Sequence, residues 1–221
     1  MTEIPVLENI LRANDQLARL VRQRLAAAGV VAFNLIGSPG AGKTALLEQT
    51  LPRLSSNLPA AVIEADCATA RDAQRILALG VQVVQINTGK GCHVPAHLVL
   101  QALDSLALDK TRLLMIENVG NLVCPSELDI GETGKIAVTS ATEGDDKPQK
   151  YPMLFRECHA VVLNKVDLIP FTNFSRDRFE ADLRGINPQV PLFLVSCRTG
   201  EGIEAWVEWL RGRLSPSPVL F

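Results

Sequence analysis

Residues 37–44 read Gly37-Ser38-Pro39-Gly40-Ala41-Gly42-Lys43-Thr44, and this stretch decides the fold. An apolar run precedes it, and Ala45 opens a helical pattern behind it. A strand, a glycine-rich turn and a helix in this order form the G-x-x-x-x-G-K-[ST] loop, whose backbone N–H groups surround phosphate oxygens. The helix N-terminus adds partial positive charge. We therefore predict that residues 37–45 bind a nucleotide, with Lys43 at the β- and γ-phosphates and Thr44 on Mg²⁺.

Short apolar runs alternate with helical patterns on both sides of this loop. The apolar runs are 31–37, 61–65, 81–87, 112–117, 135–140, 160–164 and 192–196. The helical patterns are 43–54, 70–79, 94–107, 151–157, 175–185 and 202–214. Most runs are apolar throughout, which is typical of strands covered on both faces. The alternation predicts the α/β fold of P-loop NTPases: a doubly wound, mostly parallel sheet of about seven strands with helices on both faces.

The length of 221 residues fits one such domain. We predict a GTPase domain over residues 30–214. An amphipathic helical segment, residues 1–29, precedes it and packs on it, because the leucines of this segment recur at helical spacing and Gly29 is a natural stop. Residues 215–221 are predicted to form a tail.

The composition argues against several classes of partner. The net charge is −2, and Lys and Arg are dispersed, so we expect no nucleic acid partner. No apolar stretch approaches the roughly 20 residues that span a bilayer, and no leader opens the chain, so we expect a cytoplasmic protein without a membrane partner. The five cysteines are an odd number in a chain too large to need disulfides. They are therefore packing residues, metal ligands or reactive thiols.

The base of the nucleotide is predicted from Asn164-Lys165-Val166-Asp167, which ends the sixth apolar run. This stretch resembles the NKxD motif of GTPases, in which the aspartate accepts hydrogen bonds from guanine N1 and the exocyclic amine. Asp167 would thus select GTP or GDP, and Asn164 and Lys165 would brace the site. Ser196-Cys197-Arg198 follows the last run and resembles the loop that packs against the base, with Cys197 where Ala is usual.

Two acidic residues at strand ends are predicted to sense the γ-phosphate and to hold Mg²⁺ together with Thr44. They are Asp66 and Glu117, and Glu117 opens an E-x-x-G stretch where ordinary GTPases have D-x-x-G. With Lys43 and Thr44 they form the predicted catalytic set, and Asp72 is a further candidate. The alternative is that these acids are surface groups at strand termini.

A second metal site is predicted from Cys92, His93 and Cys124, because we expect adjacent strand ends to bring them together. Two thiolates and an imidazole suit Ni²⁺ or Zn²⁺ better than Mg²⁺. Three protein ligands leave an open position or invite a second protomer. His97 and Cys67 are candidate additions. The alternative is a pair of buried thiols beside a helix-capping histidine.

These stretches together resemble the HypB family of hydrogenase nickel-incorporation GTPases. The resemblance rests on 38–44, 85–89 with Cys92-His93, 116–125, 142–152 and 164–168. It implies a nickel metallochaperone for NiFe hydrogenase maturation that hydrolyses GTP slowly and forms a GTP-dependent homodimer. It also implies a HypA-type nickel- and zinc-binding partner and the hydrogenase large subunit as eventual recipient. Cys92, His93 and Cys124 match the family's metal positions at the dimer interface, and Lys147 matches a lysine thought to reach across it.

The chain departs from this family in two places. Residues 1–30 contain neither Cys nor His, so we expect no N-terminal nickel motif, and Pro95 stands where an acidic residue is usual. Three other functions are open: a sister metallochaperone GTPase for urease or a cobalamin-dependent enzyme, a regulatory GTP switch with only structural zinc, and a kinase. The NKxD-like stretch counts against the kinase.

Overall fold

The sheet has the predicted doubly wound architecture. The computed structural model describes residues 6–54, 58–66, 70–89 and 91–214. Its strands are β1 Val31–Ile36, β2 Ala60–Asp66, β3 Gln82–Asn87, β4 Leu113–Glu117, β5 Gly134–Ser140, β6 Ala160–Asn164 and β7 Leu192–Leu194. They form one sheet in the order β3-β2-β4-β1-β5-β6-β7, and every pairing is parallel. The prediction of a parallel sheet of about seven strands is confirmed.

At least one helix follows each strand, as the crossover connections of a parallel sheet require. The helices are α1 Val6–Ala28, α2 Lys43–Thr50, α3 Arg71–Leu77, α4 Ala96–Leu103, α5 Cys124–Glu127, α6 Lys147–Lys150, α7 Pro152–Glu157, α8 Arg176–Ile186 and α9 Ile203–Leu214. Short 3₁₀ turns lie at Leu51–Arg53, Leu108–Lys110, Ala141–Glu143 and Val166–Phe171. The six predicted helical patterns all contain a helix. The short helices α5 and α6 were not predicted, because one turn carries no measurable periodicity.

One face of the sheet packs against α2, α3 and α9. Phe33 and Leu35 of β1 point to this face and join a cluster with Leu47 and the fully buried Trp206. The Trp206 indole Nε1 donates a hydrogen bond to Thr50 Oγ1 at 2.9 Å, so the polar atom of this large ring is satisfied inside the core. The packing fixes the position of α2, which begins at the phosphate loop.

The opposite face carries two apolar clusters. Val21 of α1 and Val99 of α4 pack in the first, whereas Phe155 of α7 and Phe179 of α8 pack in the second. Between them lies Asn34, a fully buried amide in the middle of β1. A polar group in such a place needs hydrogen-bond partners, because an unpaired buried amide costs about 1–3 kcal/mol.

Three sequence predictions relate to the ends of the chain and to its surroundings. Helix α1 lies against α4, as the predicted covering segment requires, while the division into segment and domain stays a prediction. The predicted tail, residues 215–221, lies outside the described residues. Of the helices in the described part of the chain, none combines the length and the apolar character that crossing a bilayer needs.

Candidate nucleotide and metal site

The phosphate loop leaves the end of β1 and closes on α2, as its sequence predicts. Gly42 has φ of +97°, and a Cβ there would lie 2.2 Å from Asn164 Nδ2. This position therefore needs glycine both for its backbone conformation and for space. Asn164 Nδ2 donates to Ala41 O at 3.0 Å, and Lys165 Nζ donates to Gly40 O at 2.7 Å. Two residues of the NKxD-like stretch thus hold the loop from outside.

Lys43 places its ammonium group inside the loop. Its Nζ donates to Gly37 O at 3.1 Å and to Ser38 O at 3.3 Å. The side chain is buried, and burial lowers the pKa of Lys43, while the carboxylate of Glu117 opposes this effect. A buried cation next to a ring of backbone amides is the arrangement that binds anionic phosphates.

Two buried carboxyl groups lie at the ends of β2 and β4. Glu64 and Glu117 are directly paired in the register of these strands. Thr44 Oγ1 donates to Glu117 Oε1 at 2.8 Å. Glu117 Oε2 and Glu64 Oε2 are buried and have no hydrogen-bond partner in the described structure. Glu64 was not predicted as a site residue, because it lies within an apolar run and only the strand register brings it next to Glu117.

The burial of these groups changes their acidity. Burial, and to a smaller extent the neighbouring Glu117, raises the pKa of Glu64 to about 8. Burial also raises the pKa of Glu117 to about 7, against the lowering effects of the Lys43 ammonium group and the Thr44 hydroxyl. Carboxylate oxygens without partners beside a hydroxyl are the hard donors that Mg²⁺ prefers. The residues present therefore fit Mg²⁺.

These groups line one cavity of about 440 Å³ at the carboxyl end of the sheet. Asp66 and Asp72 line it as predicted, and so does Arg75 of α3, which was not predicted. The Arg75 guanidinium group forms ion pairs with Glu48 at 2.6 Å and with Asp72 at 2.7 Å. The predicted phosphate and Mg²⁺ residues are thus brought together in a single space large enough for polyphosphate groups.

The predicted base-binding residues meet at Asn164. Asn164 Oδ1 accepts from Lys165 N at 2.8 Å and from Cys197 N at 3.1 Å, which joins the NKxD-like stretch to the loop after β7. Among the described residues, Lys165 is the one non-glycine residue with a positive φ, which is 60°. Ser196 is fully buried. Asp167 is half-buried and Arg198 is exposed at the edge of this region.

The ligand atoms of Cys92, His93 and Cys124 converge. One ligand atom from each lies within 4.8 Å of the others, and Cys92 Sγ is 3.5 Å from His93 Nδ1. We name these three residues the thiol cluster. Cys92 is exposed and Cys124 is half-buried, so the thiols are not buried packing groups. Hydrogen bonding to the Cys124 thiol raises the pKa of Cys92, and burial lowers the pKa of His93, which favours the neutral imidazole that binds metals.

The remaining candidates lie apart from the thiol cluster or cannot be placed. His97 is exposed, and its ligand atoms do not join the three that converge in the described structure. Cys67 lies outside the described residues. Lys147 forms an ion pair with Glu143 at 3.7 Å within the same chain, and its ammonium lies 5.4 Å from the centre of the Tyr151 ring.

Gly120→Ala tests the contact between the E-x-x-G stretch and the phosphate loop. A Cβ at Gly120 would lie 2.6 Å from Pro39 Cγ and 2.9 Å from Pro39 N, so the loop must shift. We expect the affinity for a fluorescent GTP analogue to fall by at least about tenfold, or about 1.4 kcal/mol. Gly185→Ala in α8 is the control, because a Cβ there meets nothing within 4 Å. Unchanged affinity in Gly120→Ala would show that loop and stretch move independently.

The buried carboxyl pair predicts a pH dependence of stability. The folded pKa values of about 8 for Glu64 and about 7 for Glu117 lie above the ordinary value of 4.5. The folded state therefore binds more protons than the unfolded chain in this window, and its free energy of unfolding falls as pH rises from about 5 to 8. Glu64→Gln should flatten this fall and stabilise the nucleotide-free protein at pH 8, measured by urea unfolding without Mg²⁺. The exposed Glu127→Gln is the control; an equally steep fall in Glu64→Gln would contradict the assignment.

Comparison with known proteins agrees with this geometry. A family model described as the CobW/HypB/UreG nucleotide-binding domain matches residues 31–194. The hydrogenase maturation factor HypB of Escherichia coli strain K12 is 47% identical over 210 residues, which cover 95% of this chain and 72% of that protein. The crystal structure of HypB from Archaeoglobus fulgidus has a TM-score of 0.87 and 36% identity, covering 93% of this chain and 100% of that one.

A second solved structure is similar to the same degree. It is HypB from Helicobacter pylori in complex with nickel, with a TM-score of 0.87, 36% identity, and coverage of 95% of this chain and 100% of that one. The resemblance predicted from the sequence is confirmed by these matches. Since the family model covers most of the chain and the relatives are alike over nearly all of it, the chain belongs to the CobW/HypB/UreG family, in its HypB branch.

Proposed function

We propose that this chain is a GTP-hydrolysing nickel metallochaperone that serves the maturation of NiFe hydrogenase. The observation that carries the proposal is the position of the thiol cluster. Cys124 follows the E-x-x-G stretch that begins at Glu117, so one segment joins the phosphate cavity to a site with soft ligands. The names of the relatives support the hydrogenase, and the nickel-bound H. pylori protein supports the metal.

The nucleotide chemistry is proposed from the residues that line the cavity. Lys43 neutralises the β- and γ-phosphates, and Thr44, Asp66 and Glu117 hold Mg²⁺, which when bound offsets the charge that develops on the transferred phosphoryl group. Glu64 adds a buried carboxyl group behind them. Turnover is slow, because Arg75, the arginine that lines this cavity in the described structure, is already paired with two carboxylates.

Recognition of guanine is assigned to the segment around Asn164. The Asp167 carboxylate accepts from guanine N1 and its exocyclic amine, a pair of donors that adenine lacks. Asn164 and Lys165 fix the strand end, and Ser196, Cys197 and Arg198 form the loop beside the base. The hydrogen bond from Cys197 N to Asn164 Oδ1 supports this role, because it holds the two loops in one arrangement.

The thiol cluster is proposed to carry the cargo metal. It offers two sulfur atoms and one nitrogen atom, which suit Ni²⁺ or Zn²⁺. Because Cys92 is exposed, a second copy of the chain can add ligands, which supports a GTP-dependent homodimer. A HypA-type protein as metal donor or receiver, the hydrogenase large subunit as recipient, and a cytoplasmic location complete the proposal.

Asp167→Ala tests the choice of nucleotide. Loss of the carboxylate leaves two guanine donors unpaired, and a hydrogen bond to a charged group contributes about 1.5–3 kcal/mol, so GTP affinity should fall by about 100-fold or more. ATP affinity should change little. The exposed Asp177→Ala in the first turn of α8 is the matched control. Equal affinity of the unsubstituted protein for GTP and ATP would reject guanine selection.

Calorimetry of metal binding tests the central proposal. Ni²⁺ and Zn²⁺ are titrated into the unsubstituted protein and the Cys92→Ala/Cys124→Ala variant, each loaded with GDP or a non-hydrolysable GTP analogue. We expect nickel binding whose affinity depends on the nucleotide, and its loss in the variant. Cys158→Ala is the control, because that thiol is buried and burial raises its pKa to about 12. Nickel affinity that is the same with both nucleotides, or binding of zinc alone, would favour a regulatory switch with structural zinc.

A further inference from the structure

Two asparagine side chains connect the thiol cluster to the phosphate cavity. Asn118 and Asn121 both belong to the segment between Glu117 and Cys124, and both bond to the main chain of Cys92-His93-Val94. Asn118 accepts from the residue after His93, and Asn121 donates to the residue before it. Neither was singled out from the sequence, and neither provides a metal ligand. We call the pair the amide clamp.

Asn118 holds the far side of the cluster from inside the protein. Its side chain is 1% exposed. Its Oδ1 accepts from Val94 N at 3.2 Å and from Val119 N at 3.0 Å. Its Nδ2 donates to Asn34 Oδ1 at 3.1 Å, so both polar atoms of the amide have partners. Every bond of a buried amide restricts its orientation, because the alternative is an unsatisfied polar atom.

Asn34 continues this chain of hydrogen bonds into the sheet. Its Nδ2 lies 3.4 Å from Glu132 Oε1, and Glu132 Oε2 accepts from Ile130 N at 2.9 Å. Asn34 and Glu132 are both buried. Because Asn34 lies in β1, Asn118 is bonded to the strand that leads directly into the phosphate loop. Both polar atoms of the Asn118 amide group are held by hydrogen bonds, so this side chain is not free to rotate. A displacement of Asn118 therefore also displaces the Val94 N–H group that is bonded to it.

Asn121 holds the near side of the cluster at the protein surface. Its Nδ2 donates to Cys92 O at 3.3 Å, and its Oδ1 accepts from Val123 N at 2.9 Å. Its backbone pairs with Gly37, the first residue of the phosphate loop, in an isolated antiparallel bridge. One residue thus contacts the phosphate loop with its main chain and the cysteine of the cluster with its side chain.

The segment that carries the clamp is attached to the phosphate loop at three points. Glu117 accepts from Thr44, Gly120 packs on Pro39, and Asn121 pairs with Gly37. A change in the loop that displaces this segment must move the main-chain atoms on both sides of His93. The ligand atoms of Cys92 and His93 then change their distance from Cys124 Sγ, which travels with the segment itself.

We propose that the amide clamp, Asn118 and Asn121, transmits nucleotide state to the thiol cluster by positioning the Cys92-His93-Val94 main chain. This inference rests on the proposed function, because it assumes that metal binding at the cluster depends on the nucleotide. It assigns the coupling to two side chains that touch neither ligand. Coupling between two sites is a free energy that is equal in both directions, so it is measurable from either site.

Asn121→Asp is the most selective variant. It keeps the oxygen that accepts from Val123 N and replaces the donor to Cys92 O with a second acceptor, so the clamp opens at one bond. Asn118→Ala removes the Val94 bond inside the protein. Asn87→Ala is the matched control: it ends β3, and its Oδ1 accepts from Gly89 N within the loop that leads to Cys92.

The experiment measures a coupling factor, the ratio of Ni²⁺ affinities with a non-hydrolysable GTP analogue and with GDP. Each protein is titrated by calorimetry, and the thiolate-to-nickel absorption band reports whether both sulfurs still bind. In the unsubstituted protein we expect a factor of about 5–150 in either direction. In Asn121→Asp and Asn118→Ala it should move toward 1 by about 2- to 30-fold, with the thiolate band retained. Asn87→Ala should keep the full factor.

The results distinguish failure of the amide clamp from failure of the proposed function. A coupling factor in the unsubstituted protein that both clamp variants retain would overturn the clamp and leave the proposed function standing. Nickel affinity that is the same with both nucleotides in the unsubstituted protein would overturn the proposed function, and the clamp with it. If Asn118→Ala fails to fold, Asn121→Asp alone decides, because its bond lies at the surface and its change is isosteric.

Discussion

The hydrogen bond from Thr44 to Glu117 is the interaction on which the site depends. It joins the first turn of α2 to the end of β4, and its geometry is fixed by the pairing of β1 with β4, in which Leu35 lies opposite Glu117. Because the strands are parallel, the phosphate loop and the E-x-x-G stretch leave the sheet at the same edge. The contact of Gly120 with Pro39 and the bridge from Asn121 to Gly37 follow from this one register.

This arrangement concentrates polar groups where the core is otherwise apolar. Asn34, Glu64 and Glu117 belong to three adjacent strands and are all buried. The Asn34 side chain is satisfied by the amide of Asn118 and the carboxylate of Glu132, whereas Glu64 and Glu117 each keep an oxygen without a partner in the described structure. The cost of such atoms explains why they occur together at the cavity and not elsewhere in these strands, since a bound cation can satisfy them.

The sequence allowed the sheet to be predicted well, because most strands are largely apolar and alternate with helical patterns. It also allowed the phosphate loop to be predicted, since that loop is continuous in sequence. Glu64 could not be found in this way: its role depends on lying opposite Glu117, and register is a property of the pairing. The amide clamp was missed for a similar reason, because the atoms that Asn118 and Asn121 hold on either side of His93 are main-chain atoms, which leave no trace in residue identity.

The thiol cluster contains residues that the sequence predicted, but one predicted candidate lies outside it. Cys92, His93 and Cys124 were predicted to converge because their strands were expected to be adjacent, and their ligand atoms do lie within 4.8 Å of one another. The expected adjacency is wrong, since β2 lies between β3 and β4, and the loops that follow these two strands bring the three residues together. His97 was a candidate because it lies one helical turn after His93. However, His93 precedes α4, which begins at Ala96, so helical spacing does not relate the two side chains. Helical spacing relates two side chains only when both lie in the same helix. Which ligand atoms join the thiol cluster depends instead on the path of the loop before α4, to which Asn118 and Asn121 are hydrogen-bonded.

One segment therefore presents two donor chemistries at its two ends. Glu117 offers a hard carboxylate oxygen, and Cys124 offers a soft sulfur. Divalent ions differ in which of these they prefer, so Mg²⁺ and a soft transition metal do not compete strongly for the same end. In the proposed function, this separation would let the segment respond to a phosphate-bound ion without exchanging it for the cargo metal. The communication proposed above would then act through main-chain position, a role for which hydrogen-bonded asparagines between the two ends are suited.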